Sequence, residues 1–286
     1  MATIKDIATK AKVSSTLVSR VLNYDETLVV PDSTRKKIFE VAQQLEYVNT
    51  RSRKNRKEHR IAIVRGYSEK EELEDTYYLS IRLSVEKTLN EENAEVIVIG
   101  KQEEEERLKD VDGIVAIGLF SKQETARLAA ISGNIVFADA FGGQDMDCVL
   151  FDMKDAVNKV LDYLRELGHQ RIGFIGGTDD PGAEKSTSGE DKRTKYFRDY
   201  MKKKGLYQET YVRIGAFSPS SGNHLMKELL ELPEPPTAIF AANDSLAIGA
   251  YRAVFDKGLR IPEDVSIIGF NDISTAKYIV PPLTTV

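Results

Sequence analysis

The first 23 residues constrain this chain most, because their pattern predicts two short amphipathic helices joined by a tight turn. Apolar residues recur at helical spacing in the first segment: Ile4, Ile7, Ala8 and Ala11. Ser14 is a typical N-cap for a second helix, residues 15–22, that would bury Leu17, Val18, Val21 and Leu22. Such a helix-turn-helix lays its second helix in the major groove of DNA, with its N-terminal residues at the base edges. Periodicity alone also fits an ordinary helical hairpin.

A longer match in residues 13–23 favours the DNA-binding interpretation. The segment reads VSSTLVSRVLN and resembles VSxxTVSRVLN, the signature of the DNA-binding headpiece in the lactose/galactose repressor family. Leu17 departs from that signature, because the family usually has threonine there. The resemblance and the outward face of the second helix assign DNA contacts in the headpiece to Thr3, Ser14, Ser15, Thr16, Ser19, Arg20 and Asn23.

The chain divides into three predicted pieces. Residues 1–48 form the helix-turn-helix headpiece, closed by a third helix that begins at Asp32 or Ser33, just after Pro31, and ends near Leu45. Residues 49–60 form a basic hinge linker. Residues 61–286 form a body that binds an effector and dimerises.

The linker, NTRSRKNRKEHR, holds six Lys and Arg between Arg51 and Arg60 and has nothing apolar to bury. A solvated tether would have the same composition. In the family that the headpiece resembles, a hinge helix at this place inserts a leucine between base steps and kinks the duplex. This linker has no leucine, so we expect basic contacts in or beside the minor groove instead, from Arg51, Arg53 and Lys54.

Charge is divided unevenly along the chain, whose formal net charge is −5. Residues 1–60 hold thirteen Lys and Arg against seven Asp and Glu. The remaining residues hold twenty-seven Lys and Arg against thirty-eight Asp and Glu. A basic head on an acidic body suits a protein that binds DNA through its head alone.

Beyond residue 60, apolar strand-like runs alternate with helical ones, which is typical of buried parallel sheets. The predicted strands are 61–64, 96–99, 113–117, 135–138, 171–175, 211–214, 238–241 and 265–269. The predicted helices are 79–93, 122–130, 155–167, 193–204, 222–232 and 245–257. The body also resembles the two-lobed periplasmic sugar-binding fold of the same family. The predicted fold class is therefore α plus α/β: a three-helix headpiece, then a two-lobed, periplasmic-binding-protein-like body that is apparently truncated at its C-terminus.

Ligands of such sheets bind outside the carboxyl ends of the strands, and polar residues follow four predicted strands here. These residues are Asp139, the loop 176–182, Asn243-Asp244 and Asn271-Asp272. The family resemblance implies an arginine that grips effector hydroxyls at Arg193 and an aromatic ring against a sugar face at Phe151. The expected effector contacts are Tyr67, Asp139, Phe151, Asp179, Arg193, Asn243, Asp244 and Asn271. Asp139 could instead form a turn, and Asn243-Asp244 could simply cap the following helix.

Residues 67–82, 176–182 and 218–222 resemble the branch of the family that contains galactose-operon and evolved β-galactosidase repressors. The resemblance implies a homodimer that binds a pseudopalindromic operator in double-stranded DNA. A sugar inducer, galactose or a β-galactoside, would release it from that operator. The alternative is a catabolite-control regulator that uses a phosphocarrier protein as corepressor.

Other classes of protein find little support. The chain has no G-x-x-x-x-G-K-[ST] loop, no G-x-G-x-x-G and no catalytic triad pattern, so we expect neither an enzyme nor a cofactor. Three histidines and one cysteine at unrelated spacings give no metal signature. The lone Cys148 and the lack of a signal peptide or long apolar span predict a cytoplasmic protein without a membrane partner, and Cys148 as a small buried hydrophobe. A free-standing sugar receptor leaves the basic head unexplained.

The last six residues, PPLTTV, match a segment after which the family continues for roughly one helix and several strands. Without those elements an apolar edge of the second lobe would be exposed. We therefore expect lower stability or weaker dimerisation than in a longer relative.

Overall fold

The computed structural model describes residues 3–22, 28, 30–45, 59–100, 105–143, 145–178 and 191–286. The chain forms two compact units, the headpiece Met1–Glu58 and the body His59–Val286. Residues 49–58 of the predicted linker lie outside the described residues.

Three helices build the headpiece: α1 (Ile4–Ala11), α2 (Ser15–Leu22) and α3 (Asp32–Gln44). A capping box begins α1, in which Thr3 Oγ1 accepts the Asp6 N–H at 3.3 Å and Asp6 Oδ2 accepts the Thr3 N–H at 2.8 Å. The predicted helices are confirmed. The buried core consists of Ile7, Ala8, Ala11, Val18, Val21, Ile38, Val41 and Ala42. Leu17 and Leu22, predicted to be buried, lie half-buried at its rim.

The first lobe of the body contains a five-stranded parallel sheet in the order β2-β1-β3-β4-β5. Its strands are β1 (Arg60–Arg65), β2 (Glu95–Gly100), β3 (Gly113–Ile117), β4 (Ile135–Ala138) and β5 (Asp147–Val149). Its helices are α4 (Glu69–Glu74), α5 (Thr76–Glu91) and α6 (Lys122–Ile131), with a 3₁₀ turn at Glu105–Leu108. Alternate residues of β1 serve opposite faces: Ile63 packs with α5, and Ala62 packs with Leu128 of α6.

The second lobe contains a four-stranded parallel sheet in the order β7-β6-β8-β9. Its strands are β6 (Ile172–Thr178), β7 (Val212–Ala216), β8 (Ala238–Ala241) and β9 (Ser266–Ile268). Its helices are α7 (Met153–Glu166), α8 (Lys192–Lys203), α9 (Pro219–Leu230) and α10 (Asp244–Asp256), with 3₁₀ turns at Glu209–Tyr211 and Ala276–Tyr278. Apolar residues from all four helices pack with the sheet in one large core. The two parallel sheets confirm the predicted two-lobed α/β class.

The sequence did not predict two short elements, and several helices begin earlier than predicted, by three residues at Thr76 and at Pro219. Helix α4 has a capping box from Ser68 and Glu71 but buries only Glu72, so it lacks an apolar stripe. Strand β5 is three residues long, too short to show a period. Helix α5 begins at Thr76 rather than at residue 79, because Asp75 caps it. Cys148, expected to be buried, is half-buried, and its Sγ accepts the Gly142 N–H at 3.2 Å.

Candidate functional site

The exposed face of α2 is the candidate DNA-reading surface. Ser14 begins this helix, because its Oγ accepts the Leu17 N–H at 3.1 Å. Ser15, Thr16 and Arg20 are exposed, and Ser19 is half-exposed. Three short hydroxyl side chains and one arginine on the same helix face can hydrogen-bond to base edges and phosphates. Asn23, Arg51, Arg53 and Lys54 lie outside the described residues.

The second candidate site is a cleft where the carboxyl ends of both sheets meet. Asp139 follows β4, Asn243 follows β8, and Phe270 follows β9. Asn243 Nδ2 donates to Asp75 Oδ2 at 2.7 Å, although 168 residues separate the two in the chain. The Tyr77 hydroxyl lies beside the Asp139 carboxylate. The structure therefore brings polar side chains of both lobes into direct contact at the edge where ligands of parallel sheets bind.

Arg193, in the first turn of α8, is the central cation of this cleft. Its side chain is 12% exposed. Its Nε and Nη2 donate to Asp191 Oδ1 and Oδ2 at 3.0 and 2.9 Å, and its Nη1 donates to the Ala242 carbonyl at 2.6 Å. The guanidinium carbon lies 5.0 Å from the Phe217 ring centre and 5.6 Å from that of Phe270. Hydrogen bonds in the plane and rings near the group together fix the orientation of the guanidinium.

Two acids of the cleft hold protons more tightly than usual. Burial raises the pKa of Asp75 and the pKa of Asp139, and Arg193 partly offsets both effects. Burial, together with the charge of Asp139, also raises the pKa of the Tyr77 hydroxyl above its ordinary value. The cleft thus offers carboxylate acceptors and a phenol in a partly dry environment, where hydrogen bonds to ligand hydroxyls are strong.

Asn243 caps α10, which was the alternative to an effector contact that the sequence allowed for this residue. Its Oδ1 accepts the Leu246 N–H at 2.9 Å, while its Nδ2 faces Asp75 across the cleft. Asp244 is fully buried, and its two oxygens accept from the Thr285 hydroxyl at 2.6 Å and the Ile273 N–H at 2.8 Å. These bonds give Asp244 a structural role, holding the segment after β9 against α10, in place of the effector contact predicted for it.

The remaining predicted effector residues lie at different depths. Phe151, just before α7, is 43% exposed, and its ring centre lies 5.9 Å from that of Phe270. Tyr67 is buried; its hydroxyl donates to Glu72 at 3.2 Å and its ring stacks on Tyr78, so it supports the first lobe from inside. Asn271 is half-buried with φ at 105°, and its N–H donates to the Val286 carbonyl at 2.7 Å. Asp179 lies outside the described residues.

Sequence reasoning missed Asp75, Tyr77 and Asp191. Asp75 and Tyr77 follow β1 after the short helix α4, so no predicted strand ended directly beside them. Asp191 stands two residues before Arg193, at the N-cap of α8, where its acceptance of the Arg193 N–H at 2.8 Å is an ordinary capping bond. For Asp191, an acidic residue just before a predicted helix was the available signal, whereas Asp75 and Tyr77 precede the predicted start of their helix at residue 79.

Within the described ranges, no group of three or more His, Cys, Asp or Glu side chains could hold a metal ion. Among the same residues, no helix combines the length and the apolar character needed to cross a membrane.

Comparison with known proteins finds family matches in the headpiece and in the second lobe of the body. Residues 3–49 match the family model of bacterial regulatory proteins of the lacI family, and residues 161–286 match that of the periplasmic binding protein-like domain. The whole chain is 37% identical to the HTH-type transcriptional regulator GalR of Streptococcus thermophilus and 40% identical to GanR of Bacillus subtilis (strain 168), covering 87% of each.

Solved structures agree with these matches. The lac repressor dimer bound to operator and the anti-inducer ONPF aligns with a TM-score of 0.68 and 26% identity, over 99% of this chain and 86% of that one. The complex of the transcriptional regulator CelR with cellobiose aligns with a TM-score of 0.66 and 28% identity, over 100% of this chain and 87% of that one. The chain belongs to the LacI family of bacterial transcription regulators, which bind DNA through an N-terminal helix-turn-helix and are not enzymes.

Proposed function

We propose that this protein is a repressor of a galactose or β-galactoside utilisation operon, and that a neutral sugar releases it from its operator. The cleft carries this proposal, since Arg193, Asp139 and Asn243 offer donors and acceptors that suit neighbouring hydroxyls. Relatives named GalR and GanR, at 37% and 40% identity, support galactose-type sugars as the effector class.

The repressed state is a homodimer on a pseudopalindromic operator, with the α2 helix of each headpiece in the major groove. Ser15, Thr16 and Arg20 contact bases or phosphates there, and the basic residues Arg51, Arg53 and Lys54 contact the backbone in or beside the minor groove. The protein acts beside the chromosome, in the cytoplasm of a bacterium.

Release follows from linkage between the two sites. The sugar binds between the lobes and favours one lobe geometry, and the operator favours the other. The coupling is reciprocal, so operator DNA weakens sugar binding by the factor by which sugar weakens operator binding. A phosphocarrier corepressor, the alternative function, is not favoured by the GalR and GanR relatives.

Isothermal titration of the full chain with galactose, lactose and glucose tests this proposal. Arg193→Lys keeps the positive charge but cannot span both Asp191 oxygens, so we expect it to lose sugar binding while it still binds operator. Arg198→Lys on the same helix, where Arg198 Nε lies 3.4 Å from the Tyr207 hydroxyl, is the matched control. If Arg193→Lys and Arg198→Lys bound sugar with equal affinity, Arg193 would not be part of the sugar site.

A further inference from the structure

Asp75 stands at the point where the two lobes touch across the cleft. Its Oδ1 accepts the Tyr77 N–H at 3.1 Å, which begins α5 in the first lobe. Its Oδ2 accepts from Asn243 Nδ2 at 2.7 Å, and Asn243 begins α10 in the second lobe. One carboxylate therefore links the N-termini of two helices that belong to different lobes.

A second bond crosses the cleft beside the first, between residues one position from Asp75 and two positions from Asn243. Ser245 Oγ donates to the Glu74 carbonyl at 3.1 Å. Ser245 is 3% exposed and Asn243 is 1% exposed, so water is largely excluded from both contacts. Tyr77 also packs against the core of the second lobe. These contacts join the α4–α5 turn to the beginning of α10.

The chemistry of Asp75 is suited to this position. A carboxylate accepts at both oxygens, whereas an amide has one acceptor oxygen and one donor nitrogen. The two donors that face Asp75, the Tyr77 N–H and Asn243 Nδ2, therefore cannot both be satisfied by asparagine. Asn243 cannot rotate to help, because its Oδ1 accepts the Leu246 N–H.

We propose that Asp75, with Ser245, forms a latch that holds the lobes closed before any effector binds, and so sets the affinity for the effector. Asp75 is a positioning residue in this account: it fixes the Asn243 amide and the distance between the lobes. The inference that the latch sets effector affinity rests on the proposed sugar response, but lobe closure in the ligand-free protein does not.

Loosening the latch reduces the fraction of molecules whose cleft is ready for the effector. The apparent dissociation constant rises in inverse proportion to that fraction. Loss of one hydrogen bond to a charged acceptor corresponds to a factor of about ten. Removal of the Ser245 hydroxyl, a bond between neutral groups, has a smaller effect, about threefold to tenfold.

The direct test measures the distance between the lobes in the full chain without sugar. Spin labels are placed by Lys87→Cys on α5 and Lys159→Cys on α7, whose native side chains are 77% and 73% exposed, in a Cys148→Ser background. Labelled protein is diluted with unlabelled protein, so that pairs between subunits are rare. We expect Asp75→Asn, Ser245→Ala and the double variant to show longer or broader distances than the parent, with saturating galactose restoring the parent distance.

Asp152→Asn is the matched control. Asp152 is also an N-cap aspartate, and its Oδ1 accepts the Asp155 N–H at 2.9 Å within its own lobe, a bond that asparagine keeps. Should Asp75→Asn fail to fold, Ser245→Ala, which removes one oxygen, decides the question. Unchanged distances in every latch variant would overturn the latch. If galactose bound neither the parent nor any variant, the proposed function would be refuted. The distances measured without sugar would still test the latch.

Discussion

Asp191 holds Arg193 from two residues away, with its two carboxylate oxygens 3.0 and 2.9 Å from Nε and Nη2. This pair neutralises the charge of the arginine inside the protein, and burial of the guanidinium strengthens the pairing. The other acids described in the cleft, Asp75 and Asp139, are left without a cation of their own. Arg193 is therefore a rigid donor of hydrogen bonds rather than a spare positive charge.

This balance predicts that the effector site rejects anionic sugars. Galactose 6-phosphate brings its negative charge toward Asp75 and Asp139, and like charges at close range cost several kcal/mol. We expect it to bind at least roughly a hundredfold more weakly than galactose in a titration of the full chain. Comparable affinities for the two would show that the cleft holds more positive charge than these residues supply.

Asp191→Asn should weaken that discrimination. The amide keeps an oxygen for the Arg193 N–H groups but removes one negative charge, so the guanidinium regains its net charge. We expect the ratio of galactose to galactose 6-phosphate affinity to fall by about tenfold. A ratio that stays at the parent value would mean that Asp191 does not control the charge of the site.

Phe151 is predicted to lie against the apolar face of the sugar. It is 43% exposed beside Phe270, which leaves ring surface available. Phe151→Ala should weaken galactose binding by about threefold to tenfold, whereas Phe151→Tyr should keep most of it, because stacking needs the ring. Phe255→Ala, which removes a 50% exposed ring from α10, is the control. Equal losses in Phe151→Ala and Phe255→Ala would contradict stacking.

Asp244 should make the body less stable as pH rises through the acid range. Its carboxyl is fully buried, and burial raises its pKa to about 6 from 3.8. The folded state therefore holds the proton more tightly than the unfolded state. The contribution of Asp244 to the free energy of unfolding is fully present below about pH 4 and is lost between about pH 4 and pH 6, by up to about 3 kcal/mol. Asp244→Asn mimics the protonated form and lacks this loss.

Urea unfolding of the parent and of Asp244→Asn at pH 4.5, 5.5 and 6.5 isolates this effect, since every other titration is shared. We expect the free energy of unfolding of the parent to fall relative to the variant as pH rises. Parallel pH profiles would mean that Asp244 is ionised without penalty.

Substitutions at two positions of the headpiece should have different effects, one on the specificity of DNA binding and the other on the stability of the headpiece. Arg20 is exposed on α2, and Arg20→Ala should cost about 1–3 kcal/mol and relax specificity at one base pair. Ser14→Ala removes the cap of α2 and should lower headpiece stability by about 0.5–2 kcal/mol, weakening all operator sequences alike. Anisotropy titrations against operators with single base changes distinguish the two patterns. Uniform weakening by Arg20→Ala would assign that residue to phosphate.

Local chemistry made most of the fold predictable. Apolar spacing and the Ser14 cap define α2 from the residues alone, and runs of β-branched residues mark strands such as β3. The cleft was only partly predictable. Polar residues after β4 and β8 could be placed at strand ends, but the contact between Asp75 and Asn243 joins positions 168 residues apart. Tyr67 and Asp244 showed no pattern that separates burial from exposure at a strand end.

Operator binding with and without sugar tests the central claim most directly. Fluorescence anisotropy, at fixed salt, measures binding of the full chain to the control region beside its own gene, alone and with galactose, lactose or glucose. We predict that galactose or lactose weakens operator binding at least about tenfold while glucose does not, and that operator DNA weakens binding of that sugar by the same factor. Tight operator binding that no sugar relieves would contradict a sugar-released repressor.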